Sequence, residues 1–146
     1  MRQLGLTFLH LGLAVRNPDA ARRFLEALGY REGEFIFDPE QNVNLMLCTH
    51  PAMPDVEIIC PASEGKSPVD RLVQRHANGI VYHMCYTAPD LKASLDAMKQ
   101  VGLNPFCVAP PKPAVLFGGE KVSFYLIDGM GLVEILEIPH QPGDPQ

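Results

Sequence analysis

Nowhere in this sequence does an apolar run approach the ~18 consecutive positions that a bilayer-spanning helix requires. The opening segment "MRQLGLTFLHLGLAV" has one arginine and an apolar run. It lacks the small-residue cleavage site of a secretory leader and flows into a helix pattern, so it reads as a strand. C-x-x-C pairs are missing as well. Cys48, Cys60, Cys85 and Cys107 stand far apart, which speaks against a zinc knuckle or a dithiol redox motif and fits free, mostly buried thiols in a reducing cytoplasm. Basic residues are scarce: 12 Lys and Arg face 17 Asp and Glu, a net charge of −5. That balance argues against nucleic acid and anionic membrane as partners. It leaves an anionic small molecule open, because a metal ion or local lysines reverse the field. A glycine-rich phosphate loop is also lacking.

What is present is an ordinary globular composition, 47% hydrophobic and 20% charged, in a length that suits one domain. "TFLHLGLAV" is short and apolar, and its length favours a strand. Asn17, Pro18 and Asp19 supply a helix start, followed by Ala20, Ala21, Phe24, Leu25 and Leu28 at helical spacing and Gly29 as the stop. "YREGEFIF", "VNLMLCT" and "VEIIC" read as three strands. Ser67 and Pro68 open a short connecting helix with Val69, Leu72 and Val73 as its apolar stripe. Then the order begins again. "GIVYHMCYT" is a strand, and "PDLKASLDAMKQVG" is a helix with Leu91, Leu95, Met98 and Val101 on one side. "PFCVA" is a strand, while "PPKPAVLFGGE" reads as a loop from its Pro and Gly content. "KVSFYLID" and "GLVEILEI" are strands joined by a Gly-rich turn. The tail "PHQPGDPQ" reads as disordered. The expectation is α+β, two βαβββ modules in one domain of residues 1–146: a first module about 5–62, a connector 63–78, a second module about 79–138 and a tail 139–146. Each repeated unit of this size leaves an open sheet face for its copy to cover.

Each module carries a histidine in its first strand, His10 and His83, and a glycine at the same distance downstream, Gly29 and Gly102. Each also has a glutamate inside its last strand, Glu57 and Glu134. A carboxylate flanked by Val, Ile and Leu is costly to bury unless it is paired or holds a cation. Taken singly, a strand histidine is ordinarily a core or edge residue. A lone strand glutamate ordinarily faces solvent, as is expected of Glu137. The matched quartet differs: two imidazole nitrogens and two carboxylate oxygens suit one divalent ion, Zn, Ni, Co, Mn or Fe in preference to Ca or Mg, with two octahedral positions left for water. His50, His76 and His140 have no counterpart in the other module and are expected on the surface. Cys85 shares a strand face with His83 and reads as a small buried hydrophobe.

At these residues the chain resembles the vicinal oxygen chelate superfamily, whose paired βαβββ modules occur in glyoxalase I, methylmalonyl-CoA epimerase, extradiol dioxygenases and bleomycin-resistance proteins. The resemblance runs from about Leu9 to Glu137. "SPVDRLVQRHANGIVYHMCYTAPDL" is similar to the connector, second histidine strand and helix start of the epimerase branch, and "FGGEKVSFYLIDGMGLVEILE" to its closing hairpin. The resemblance implies a curved mixed sheet around a metal or ligand cavity, with His10, Glu57, His83 and Glu134 as the metal ligands. Two departures bear on the substrate. Epimerases commonly carry Gln where this chain has Glu57, whereas bacterial glyoxalase I carries Glu. "VYHM" stands where epimerases often have two adjacent histidines.

The chemistry implied is proton transfer alpha to a carbonyl, in which a metal binds the substrate oxygen and a carboxylate moves the proton. "EQNV" resembles the place where epimerases carry a catalytic glutamate. Glu40 is therefore a candidate base, beside the plainer reading of a solvated turn residue after Asp38 and Pro39. Glu134 is the other candidate, as a ligand carboxylate able to leave the metal. The expected function is a metal-dependent epimerase or isomerase acting on a small-molecule substrate, an acyl-CoA thioester such as methylmalonyl-CoA. The alternatives are a glyoxalase I-type lactoylglutathione lyase, an Fe(II) extradiol dioxygenase and a non-catalytic drug-binding protein. A fourth protein ligand at Glu57 disfavours the dioxygenase, and a drug-sequestering pocket has no need of the quartet. Lys112 and Lys121, in and beside the Pro/Gly-rich loop, are the candidates for meeting CoA. A homodimer is expected, because related chains pair their modules and short sheets leave edges to cover.

Overall fold

The computed structural model describes residues 3–139. His140, expected on the surface, and most of the tail expected to be disordered lie outside the described residues. The chain divides into two compact units, one formed by His10–His83 and the other by the residues up to Leu9 and from Met84 onward. Each holds a mixed sheet with few helices.

In the first unit, β1 (Thr7–Ala14, from His10 onward) runs parallel to β5 (Asp55–Pro61), and β5 is antiparallel to β4 (Val43–Thr49). Two short strands, β2 (Arg31–Glu32) and β3 (Ile36–Asp38), both pair antiparallel with β4. The single strand expected over "YREGEFIF" is therefore split. Between the pairs Glu32 with Cys48 and Ile36 with Leu45, the outer strand spends one residue more than β4, which is a β-bulge. Gly33 makes the bulge possible. Its N–H donates to the Leu47 carbonyl at 2.8 Å, and a Cβ there would stand 2.6 Å from that oxygen.

Helix α1 (Asp19–Ala27) closes this core through Leu25, which packs with Val15, Met46, Cys48, Val56, Ile58 and Cys60. Asn17 supports its start by accepting the Asp19 N–H at 2.9 Å. The expected apolar stripe is only partly used. Phe24 is 67% exposed and Leu28 is also exposed. Contact runs along the line of Ala21 and Leu25; Phe24 is turned off that line by one residue step, and Leu28 lies beyond the last helical residue. Helix α2 (Asp70–Arg75) buries Val73, and Val69 just before it is buried too, while Leu72, the third residue of the expected stripe, is only half-buried.

In the second unit, β6 (Ile80–Ala88, from Met84 onward) is parallel to β9 (Gly131–Glu137). The antiparallel partners of β9 and then of β8 are β8 (Lys121–Ile127) and β7 (Phe106–Pro113). Helix α3 (Leu91–Gln100) covers a core of Ala88, Met98, Tyr125, Ile127, Val133 and Ile135. Two carboxylates hold its N-terminus. Asp90 accepts the Ala93 N–H at 3.0 Å, and Glu137 accepts the Leu91 N–H at 2.8 Å. Glu137 thus serves the helix end and does not point to solvent as expected.

The loop expected over "PPKPAVLFGGE" is also corrected, because β7 continues through Pro113. β7 is an edge strand with two register shifts against β8. Prolines are tolerated where no further strand needs their missing N–H. A single 3₁₀ turn, Val115–Phe117, then leads through Gly118 at φ 64° into β8. Among the described residues no helix is long and apolar enough to cross a membrane.

Candidate metal centre

The alternation of side chains along β1 places His10 and Gly12 on one face. The register of β1 against β5 sets Gly12 opposite Glu57. His83, from β6, joins them. His10, Glu57 and His83 are 0%, 4% and 3% exposed, far below what imidazole and carboxylate groups ordinarily show. His10 Nε2 lies 3.6 Å from Glu57 Oε2, and the two imidazole rings meet edge to face with centroids 5.6 Å apart. Tyr82 packs edgewise against His83 at 4.5 Å. The potential ligand atoms of the three residues lie within 4.8 Å of one another.

That spacing is informative. Metal–ligand bonds of about 2.0–2.2 Å put neighbouring ligand atoms ~3–4 Å apart around one ion. At 3.6 Å the His10–Glu57 approach is longer than a good hydrogen bond, yet it matches two ligands of a common cation. Two imidazoles and a carboxylate are the donors that borderline divalent transition ions prefer. The buried His/Glu group can hold a metal ion.

The second unit repeats the strand register. In it Cys85 lies opposite Glu134. Cys85 follows His83 by two residues just as Gly12 follows His10, so Glu134 occupies on β9 the position that Glu57 occupies on β5. Glu134 is buried, between buried Val133 and Ile135. Cys85 is fully buried, in keeping with its reading as a small hydrophobe.

Other residues stand elsewhere. Glu40 is exposed on the turn that follows β3 and does not belong to the His/Glu group. Its backbone N–H donates to Asp38 Oδ1 at 2.9 Å. Asp38, buried, organises that turn, accepting in addition from the backbone and side chain of Gln41. The turn after Asp38 and Pro39 is the one expected from that pair; the buried Asp38 carboxylate that holds it is the added finding. Lys112 and Lys121 lie on paired β7 and β8 and are exposed. His76 is exposed as expected. His50 is not a loose surface residue. Its Nδ1 accepts the N–H groups of Ala52 and Met53 at 2.9 and 3.1 Å, its Nε2 lies 3.2 Å from the Leu28 carbonyl, and its ring packs on Tyr30. No local pattern announces this role, because Leu28 and Tyr30 are distant in sequence.

Residues 9–124 match the Glyoxalase/Bleomycin resistance protein/Dioxygenase superfamily. Among curated proteins, ethylmalonyl-CoA/methylmalonyl-CoA epimerase of Cereibacter sphaeroides is 28% identical over 104 residues, 70% of this chain and 76% of that protein. Among solved structures, methylmalonyl-CoA epimerase from Mycobacterium tuberculosis gives a TM-score of 0.74 at 17% identity, covering 97% of this chain and 94% of that one. A Streptomyces coelicolor methylmalonyl-CoA epimerase variant in complex with 2-nitronate-propionyl-CoA gives 0.69 at 19% identity, covering 90% and 97%. At such identities the structures speak for the fold, and the mixed sheets with few helices match it. The family match spans most of the chain, and the chain belongs to the glyoxalase/bleomycin resistance protein/dioxygenase superfamily.

Proposed function

We propose that the chain is a metal-dependent epimerase that exchanges the proton alpha to the carbonyl of an acyl-CoA thioester, with a methylmalonyl-type substrate favoured. The observation that carries this reading is the buried His10–Glu57–His83 donor group, in a chain whose curated relative is an ethylmalonyl-CoA/methylmalonyl-CoA epimerase. His10, Glu57 and His83 would hold one divalent ion, Zn, Ni, Co, Mn or Fe, with Glu134 as fourth ligand on the strength of its matching register on β9. When bound, such an ion acts as a Lewis acid that lowers the cost of negative charge on the substrate oxygen. The protein's own part is to hold the two imidazoles and the Glu57 carboxylate together and to move a proton at the alpha carbon. A carboxylate, Glu134 or Glu40, takes that proton, and return of a proton to the opposite face completes the epimerisation. The carboxylate at Glu57, where epimerases commonly carry Gln, favours a second reading, isomerisation of a glutathione hemithioacetal by the same proton transfer.

Solvent deuterium exchange tests the reaction class. Metal-loaded protein is incubated in D₂O with a small panel of acyl-CoA thioesters and hemithioacetals, and the products are weighed by mass spectrometry. Exchange at the alpha carbon that requires metal and falls at least ~100-fold in Glu134→Gln is the expected result. An unchanged rate in Glu40→Gln assigns Glu40 to the turn alone. No exchange with any substrate, together with tight binding of an intact aromatic or peptide drug, would sink the enzymatic reading.

A further inference from the structure

Gly12 stands in the middle of β1, where glycine ordinarily weakens a strand and marks a close approach. Its backbone is not among the positive-φ glycines, so conformational freedom is not the reason for it. Space is. A Cβ built on Gly12 would overlap the edge of the His83 ring that carries Cε1, Nδ1 and Nε2, far inside the 3.0 Å that real Cβ contacts essentially never breach. The ring edge with both nitrogens therefore lies directly over the Gly12 backbone. On the neighbouring strand Gly12 faces Glu57, and His10 is two residues away on the same face. The equivalent position of the second repeat is Cys85, so the repeat as such does not demand glycine there.

We infer that Gly12 is the positioning residue of the His/Glu group: the side chain it lacks is the room in which His83 brings its nitrogens to His10 and Glu57. This inference rests on the metal-centre reading. Any side chain at position 12 must push the imidazole aside, and a ring 3% exposed with Tyr82 packed against it at 4.5 Å has little room to give. A ligand turned out of place costs metal affinity on the scale seen when a group orienting a ligand is lost, about 10–100-fold.

Two measurements test it. In metal-free wild-type protein, NMR should show a cross-relaxation peak between the His83 Hε1 and Gly12 Hα protons. Titration with Co(II), followed by its d–d absorption in competition with a chelator, should show about 10–100-fold weaker binding and an altered spectrum in Gly12→Ala. Its far-UV circular dichroism should match the wild type. Wild-type Co(II) affinity in Gly12→Ala overturns the inference. If Gly12→Ala does not fold, adding His83→Ala removes the clash, and recovery to the stability of His83→Ala alone supports the inference; no recovery overturns it. Wild-type protein that binds no Co(II) fails the metal reading, whereas a missing cross-relaxation peak fails the Gly12 inference by itself.

Discussion

Cys48 and Cys60 lie in the core of the first unit, and burial pushes each thiol up from an ordinary 9.0 to about 11. At Cys48 the Glu32 carboxylate adds to the effect. An acid whose folded value is raised contributes stability in full below its unfolded value. That contribution is lost as the pH climbs from 9 to 11, because the unfolded chain releases the proton first. Each thiol should steepen alkaline unfolding by at most about 1.4 kcal/mol per pH unit in that window. Denaturant titrations at several pH values check this, with the slope, not the absolute stability, expected to flatten in Cys48→Ala/Cys60→Ala. In the native protein at neutral pH, only exposed Cys107 should react quickly with a thiol reagent. Burial of Cys48, Cys60 and Cys85 was legible in their apolar strands. His10, Glu57 and His83 were legible for a different reason: the repeat puts the same residue types at the same places, and buried charge needs a partner. Gly12 and the contacts of His50 with Leu28 and Tyr30 were not, since those neighbours are supplied by the fold alone, whereas Asp38 acts on Glu40 and Gln41 beside it in sequence.

At the scale of elements, α3 shows where sequence patterns stop. Its cap Asp90 is local and its side chain satisfies Ala93, but the other acceptor, Glu137, arrives from β9. Periodicity says that a strand residue points up or down and nothing about which helix end waits there. Glu137→Ala should remove the acceptor of the Leu91 N–H and cost about 1–2 kcal/mol. Glu137→Gln keeps an acceptor but gives up the charge at the helix N-terminus and should cost less, about 0.3–1 kcal/mol. Urea unfolding midpoints with an unchanged slope check both values, and equal stability of all three proteins would refute the capping role. Most strands and helices could be placed from apolar runs and turn residues. Two strands could not. Gly33 breaks "YREGEFIF" through a close contact with the Leu47 carbonyl that only the paired sheet creates. "PPKP" joins β7 because proline bars a central strand and not an edge.

For the whole molecule the open matter is its edges. β2 ends one sheet safely: it is two residues long, both charged, and Glu32 is held by Arg22 at 2.9 Å. β7 is the contrary case, a long edge strand with Phe106 66% exposed, Val108 exposed and Leu126 of β8 exposed beside Phe106. Its prolines and register shifts blunt backbone pairing but leave the apolar side chains in water. We propose that a second copy of the chain covers this cluster. A sequence cannot separate this surface from an internal core, because both are written in the same apolar residues. Sedimentation at micromolar concentration should give twice the 16.1 kDa of the single chain. Phe106→Ser, with Leu126→Ser if one change is not enough, should weaken association at least about tenfold, or roughly 1.4 kcal/mol. The thermal transition of the monomeric fraction should stay cooperative, which separates a lost interface from a lost fold. A clean monomer at every concentration, with the wild-type chain folded, would leave the β7 edge as a surface that proline and irregular register alone protect.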